Sequence, residues 1–334
     1  MKTDLYSTPD VFETLAGEWD RVLDPARSDN FFLRCDWQRI WWEHLGRGEL
    51  CVITVREDGR LRGIGPWFIT EMGDKRVVRT VGCTDVTDYL DIIVEPGYEE
   101  PVTEALLDFM ISNDAPQWNW ISLCNIPESS PTWGLFARLV QTRGLDAEVV
   151  LQDVCPVVDL PGTYDEYLDS LDKKQRHELR RKRRRAEAAG VGWYIVGPEH
   201  DLEEEIEAFL ELMAMSAQEK ADFLKQPGHR AFFYDIGRAT FEQGFLELIF
   251  LTVGDARAAA MWQFAYRDRM LLYNSGLNQA DFSGLSPGIV LLTYSVEDAI
   301  QRGIKKYDFL RGDEAYKYRM GAKDTKVFKI NVRR

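Results

Sequence analysis

The sequence predicts an α+β protein built from two copies of one architecture, each a mostly antiparallel central sheet flanked by helices, with a long basic helix joining them. Three observations carry this. Paired strand-like runs around a short Asp/Gly turn occur twice, as LCVITVREDGRLRGIGPWFI and LELIFLTVGDARAAAMWQFAY. Each pair is followed, after a helical pattern, by a similar strand with a polar end, QWNWISLCNIPES and then IKKYDFLRGDEAY. Between the halves lies a run of cations, KKQRHELRRKRRR, with no apolar stripe of its own.

In the first half, Val11–Val22 and Asp36–Leu45 place apolar residues at helical spacing. Leu50–Val55 and Leu61–Ile69 form the hairpin across Asp58-Gly59, and Arg76–Val81 is a third strand. The loop GCTDVTDYLDIIVEPG leads to a helix over Glu99–Ile111, a strand over Trp118–Cys124, a helix over Pro131–Gln141 and an extended run over Ala147–Val158. Thr163–Ala189 then reads as one helix, opened by a Thr163/Glu166 capping box and closed by Gly190. The second half repeats the order. Gly192–Val196 is a strand, and Leu202–Ser216 and His229–Glu242 are helices. Leu246–Val253, Arg257–Tyr266 and Met270–Ser275 are strands, Gly288–Arg302 is a helix and Lys306–Leu310 a strand. A short helix over Asp313–Met320 and a strand over Lys326–Val332 follow. The division is 1–160, a connecting helix over 161–190, and 191–334.

Composition narrows the function. With 45% hydrophobic and 29% charged residues the chain builds a sizeable core. No apolar run is long enough to span a bilayer, and the acid-bearing N-terminus lacks the apolar core of a signal peptide. Five scattered cysteines and four histidines show no metal-ligand spacing, so a reduced, cytoplasmic, metal-free protein is expected. A net charge of −14 speaks against general nucleic-acid binding. Lys173–Arg185, however, holds nine Lys or Arg against one Glu, a local +8 that leaves −22 for the rest. Arg176, Arg180 and Arg184 recur every fourth residue and share a face, which reads either as a solvated helix balancing the acidic domains or as a dock for phosphate or an anionic glycan.

Met270–Met320 is the stretch around which the second half is organised. A buried strand, a polar loop, a helix beginning Ser286-Pro287-Gly288 and a second strand make a common anion site, because a helix start offers free N–H groups and positive potential. The corresponding helix of the first half begins among Glu99, Glu100 and Glu104, which repel a diphosphate. The donor site is therefore expected in the second half, with the first half a degenerate copy on the acceptor side.

With TDYLDII at Thr87–Ile93, LDKKQRHELRRKRRRAEAAG at Leu171–Gly190, SPGIVLL at Ser286–Leu292 and YDFLRGDEAYKYRMG at Tyr307–Gly321, the chain resembles a tandem GNAT protein. Specifically it resembles the acetyltransferase family named after the cellulose-biosynthesis protein CelD, related to the Fem-type peptidoglycan aminoacyl transferases. The resemblance implies transfer of an acyl group, acetyl-CoA or another acyl-CoA being the donor, to an amine or hydroxyl of a small-molecule or glycan-related acceptor by direct attack. No Ser-His-Asp or Cys-His arrangement suggests a covalent intermediate. Such folds hold the donor between their splayed fourth and fifth strands, which assigns it to Tyr273, Asn274, Ser286, Pro287, Gly288 and Ile289. The cluster after the fifth strand supplies candidate catalytic groups: Asp313 or Glu314 as base, Tyr316 as donor to a leaving thiolate and Lys317 at the oxyanion. Asp88, Tyr89, Asp91, Arg176 and Arg311 are candidates for substrate binding. The sequence departs from the usual donor loop in having only Gly284 and Gly288 with Ser286 and Pro287, so two alternatives stay open. One is a Fem-like transferase that takes aminoacyl-tRNA, with tRNA docked on the basic helix. The other is a binding protein that keeps the fold without the chemistry.

Overall fold

The computed structural model describes residues 1–83 and 86–334. Thr84 and Asp85, in the loop before the TDYLDII segment, lie outside them. The chain folds into two compact units, Met1–Val154 with Thr325–Arg334, and Cys155–Asp324. No helix among the described residues is long and apolar enough to cross a membrane.

The first unit begins β1 (Lys2–Tyr6), α1 (Asp10–Leu23), α2 (Cys35–Leu45), β2 (Glu49–Glu57), β3 (Arg60–Met72), β4 (Lys75–Thr80) and β5 (Ile93–Val94). It continues α3 (Glu99–Ile111), β6 (Trp120–Pro127), α4 (Thr132–Thr142) and β7 (Asp146–Asp159). β1 to β4 are antiparallel neighbours, and β4 meets β6 in parallel at only Val77↔Trp120 and Val78↔Ile121. Its core gathers Trp67, Leu106, Phe136 and Ile330.

The second unit takes the last residues of β7, then α5 (Tyr164–Ser170), α6 (Lys173–Ala188), β8 (Val191–Ile195), α7 (Leu202–Ser216), α8 (Gln218–Lys225) and α9 (His229–Glu242). β9 (Leu246–Val253), β10 (Ala256–Tyr266), β11 (Arg269–Leu277), α10 (Gln279–Phe282), α11 (Pro287–Gln301), β12 (Lys306–Asp308) and α12 (Ala315–Arg319) follow. β8 to β11 are antiparallel neighbours. β12 lies between β11, which it meets in parallel, and Val157–Asp159 of β7, which it meets antiparallel. β13 (Lys323–Arg333) then carries the chain back to the first unit, where it pairs with β6.

The strands and helices expected in the two halves are present in order, with β1, α8 and α10 in addition. Three features differ. The basic helix, expected as a connector over 161–190, lies within the second unit. It is also not one helix from Thr163. The capping box forms and starts α5, but Leu171 turns extended (ψ 154°) to bury its side chain, and Asp172 caps a new helix by accepting from the Gln175 N–H at 2.9 Å. Finally, Cys83 and Cys124 are joined as a disulfide, where reduced thiols were expected. Their 41-residue separation hides the pairing in the sequence.

α11 starts where Pro287 sits at N1, a position that needs no N–H donor, and it buries Val290, Leu291, Val296, Ala299 and Ile300. Beneath it the hydroxyls of Ser295 and Tyr307 lie 2.9 Å apart, and both bond the amide of Gln263, so the polar groups of this core are mutually satisfied. α7 packs on β11 at Gly276, where an added methyl would stand 2.6 Å from the backbone of Leu212 and Met213. That is backbone, not a flexible side-chain end. Gly276→Ala is therefore expected to cost about 1–3 kcal/mol by overpacking, while Gly284→Ala, which meets open space, leaves stability nearly unchanged. Urea midpoints of the two variants check this.

Candidate functional site

β11 and β12 share three residue pairs, Arg269↔Lys306, Met270↔Tyr307 and Leu271↔Asp308, and then part. β11 continues to Leu277, while the chain after β12 turns away through Leu310, which adopts a left-handed conformation (φ 56°). Buried Asp308 supports that turn by accepting from the Leu310 N–H at 2.8 Å. Beyond the last pair lies a cavity of about 310 Å³. Leu272, Ser275 and Leu277 of β11 line it, as do Ser286 to Ile289 at the start of α11, and Tyr316 of α12.

The mouth of α11 suits an anion. Its first turn carries no acid. Ser286, left-handed at φ 54° and ψ 52°, makes no side-chain cap, and its backbone oxygen receives the N–H of Val290, leaving the N–H groups of Gly288 and Ile289 before the helical ladder begins. Lys182 of α6 adds a cation there, its Nζ donating to Ser286 Oγ at 2.6 Å. Gly288 serves the wall as well as the opening, because a Cβ would stand 2.7 Å from the Leu277 side chain. In the first unit the matching helix start differs. Glu99 and Glu100 occupy the first turn of α3, Glu99 accepts from the Gly97 N–H, and the cavity that includes Glu99 is only about 10 Å³.

The donor set Ser286, Pro287, Gly288 and Ile289 therefore comes together on one cavity with Tyr316. Tyr316 is held protonated by burial, with the Glu314 carboxylate acting in the same direction. Asn274, next in sequence to the cavity-lining Ser275, does not itself line the cavity, nor does Tyr273, which packs its ring among Phe233 and Phe264. Lys317 turns inward. It is 2% exposed, and its Nζ donates to the backbone oxygens of Leu310, Arg311 and Gly312 and pairs with Glu314 at 2.8 Å, so it pins the turn after β12. Asp313 is exposed and Arg311 half-buried, and neither lines the cavity.

The basic helix presents a different face from the one its arginine spacing suggests. Arg176 pairs with Asp169 at 2.6 Å. Arg183 bonds Glu297 at 2.6 Å and lies 4.5 Å over the Tyr294 ring. Lys174, His177, Glu178, Arg181 and Lys182 instead line a second cavity of about 520 Å³, which shares Ile289 and Tyr316 with the first.

Asp88, Tyr89 and Asp91 belong to the first unit. Asp91 is 2% exposed and accepts from its neighbour's Ile92 N–H. Burial pushes its carboxyl up to about 6, against the hydroxyls of Ser130 and Thr132, which favour the charged form. It supports the start of α4. Tyr89 is buried beside Phe32, and Asp88 is half-buried.

Sequence reasoning missed Lys220, on the short helix α8. Its Nζ donates to Asn274 Oδ1 at 2.9 Å and to the Ser275 oxygen at 2.6 Å, next to the register shift between β10 and β11 that follows Trp262. Burial lowers this lysine to about 8, and the Glu314 carboxylate pulls it partly back. The sequence reading placed no helix between Ser216 and His229, and nothing local to Lys220 announces its partners on β11.

Residues 173–318 match the family model described as acetyltransferase (GNAT) domain. No curated protein matches the sequence. Among solved structures, that of FemX superposes with a TM-score of 0.68 at 14% identity, over 98% of this chain and 97% of that one. L-PGS from Bacillus licheniformis gives 0.58 at 11%, over 94% and 90%. A tandem GNAT protein from the clavulanic acid biosynthesis pathway gives 0.52 at 11%, over 98% of each chain. The fold is thus the α+β, GNAT-like architecture expected from the sequence.

Lys220 offers a test by pH. Its folded value lies below its unfolded one, so between about pH 8 and the ordinary lysine value the unfolded chain binds more protons, and stability rises with pH across that window. Below it both states are protonated and the penalty is constant. Glu314→Gln removes the charge that favours the cation. The midpoint of Lys220 acylation by an amine-reactive reagent, followed by mass spectrometry against pH, is expected to fall in this variant.

Proposed function

We propose that this chain is an acyltransferase of the CelD-like type. It moves an acyl group from an acyl-CoA, acetyl-CoA first among them, to an amine or hydroxyl of a small-molecule or glycan-precursor acceptor by direct attack. The observation that supports this most strongly is the cavity where β11 and β12 part. Its apolar walls suit a thioester arm, and the acid-free mouth of α11 with Lys182 suits a diphosphate. In this reading the acceptor's nitrogen or oxygen attacks the thioester carbonyl, and the carbon–sulfur bond breaks. Tyr316 gives its proton to the leaving sulfur. The acceptor's proton passes to a carboxylate of the turn after β12, Asp313 or Glu314; Glu314 is bonded to Lys317 and Asp313 is exposed. Lys317 acts indirectly by holding the turn that carries both groups. The reading extends to a cytoplasmic setting without a metal.

A second reading is favoured by one observation, the bond from Lys182 of the basic helix to Ser286 at the mouth of α11. A cationic helix reaching the donor site also suits aminoacyl-tRNA as donor, in the manner of a Fem-like transferase. It predicts salt-sensitive RNA binding that Arg180→Glu with Arg184→Glu abolishes. A binding role on the same fold predicts no turnover with either donor.

Thermal-shift titration with acetyl-CoA, longer acyl-CoAs and free CoA is the deciding measurement. At a hundred times its dissociation constant a ligand adds about 2.7 kcal/mol, and such a shift is expected with at least one thioester. Tyr316→Phe is expected to keep donor binding within about threefold while lowering kcat by about 10²-fold or more. The absence of a shift with every thioester overturns the acyl-CoA reading.

A further inference from the structure

A second cavity adjoins the candidate donor site. It measures about 520 Å³, the size of a small-molecule pocket. Lys174, Arg181 and Lys182 reach it from α6, and Arg319 reaches it from α12. Its one carboxylate is already engaged, since Glu178 accepts two bonds from Arg181, at 2.8 and 2.9 Å. Those bonds, with help from Lys182, hold the carboxyl down at about 2. Lys174 and Arg319 meet no carboxylate among the described residues, although they converge from two helices. Cations gathered without counter-charge repel one another, and an anion between them removes that repulsion. The groove joins the donor cavity through Ile289 and Tyr316. In the function proposed above, the donor's own diphosphate is already provided for at the mouth of α11.

We propose that this groove is an anion site and that the acceptor of the transfer carries a phosphate or carboxylate which Lys174 and Arg319 hold. The inference rests on the acyl-transfer reading for the word acceptor, but not for the anion site itself.

Calorimetric titration at low salt tests it with four probes: glucosamine 6-phosphate, uncharged N-acetylglucosamine as the neutral control, inorganic pyrophosphate and acetyl-CoA. Glucosamine 6-phosphate is expected to bind the intact chain and the neutral sugar not to. The Lys174→Ala/Arg319→Ala double variant is expected to lose at least tenfold in affinity for both phosphate probes while binding acetyl-CoA within twofold of the parent. Both residues are exposed, and a melting curve checks that the variant folds. Lys174→Arg with Arg319→Lys keeps the charges and is expected to keep binding. Failure of either phosphate probe to bind, or binding unchanged by the double variant, overturns the anion site. A parallel loss of acetyl-CoA affinity overturns the acceptor assignment, since the groove then serves the donor. If acetyl-CoA does not bind the parent chain while the phosphate probes do, the transfer reading falls and the anion site stands.

Discussion

Two parallel strands that pair for only three residues set the terms for the whole second unit. A parallel pair cannot be closed by a tight turn, so β11 and β12 need a crossover, and α11 is that crossover. The start of α11 then has to lie near the end of β11, where the strands are already apart. Parting leaves backbone groups without ladder partners, and buried ones must be satisfied elsewhere. Two lysines do this. Lys220 takes the Ser275 oxygen on the β11 side, and Lys317 takes the oxygens of Leu310, Arg311 and Gly312 on the β12 side. The gap is thus kept open by cations that come from short flanking helices rather than from the strands themselves.

The basic helix answers a different demand. α6 buries only Leu179 and Ala186, too little apolar surface to seat sixteen residues. Its attachment rests on polar contacts: Arg183 against Glu297 and the Tyr294 ring, and Lys182 on Ser286. The Arg183 pair is partly shielded from solvent, which makes it worth more than the more exposed Glu178–Arg181 pair earlier on the helix. In a chain of net charge −14, concentrating cations on one helix supplies both the seat and the positive lining of the adjoining groove.

Much of this was legible in the sequence, and the line between legible and hidden is physical. Periodicity, turn chemistry and caps are local, so the repeated order of elements and the acid-free start at Ser286-Pro287-Gly288 could be read directly. The candidate donor residues at the start of α11 share a cavity with Tyr316, which α12 brings back to them after the strand that the crossover helix leads to. What stayed hidden depends on partners far away in the chain. Nothing near Lys317 says that its ammonium ends on three carbonyls. Helical spacing correctly groups Arg176 with Arg180 and Arg184, but not which face of α6 looks toward α11. Lys220 becomes significant only because β11, some fifty residues later, brings Asn274 and Ser275 to it. The break at Leu171 was missed because the charged run around it has no apolar pattern to interrupt, although Asp172 is a residue type that favours caps, and the burial of Leu171 is what reveals it.

The return of β13 to the first unit bears on the order in which a ribosome can deliver a finished molecule. Cys155–Asp324 is one uninterrupted stretch, so every contact inside it exists once residue 324 has emerged. The first unit, made earlier, has to wait: Ser122 on β6 bonds Asn331 on β13 across 209 residues of chain. Until those last residues are released, β6 presents an open edge of the kind that invites wrong partners. The unit synthesised first is therefore completed only after the second has emerged, and the β6 edge waits unpaired until residues 325–334 reach it.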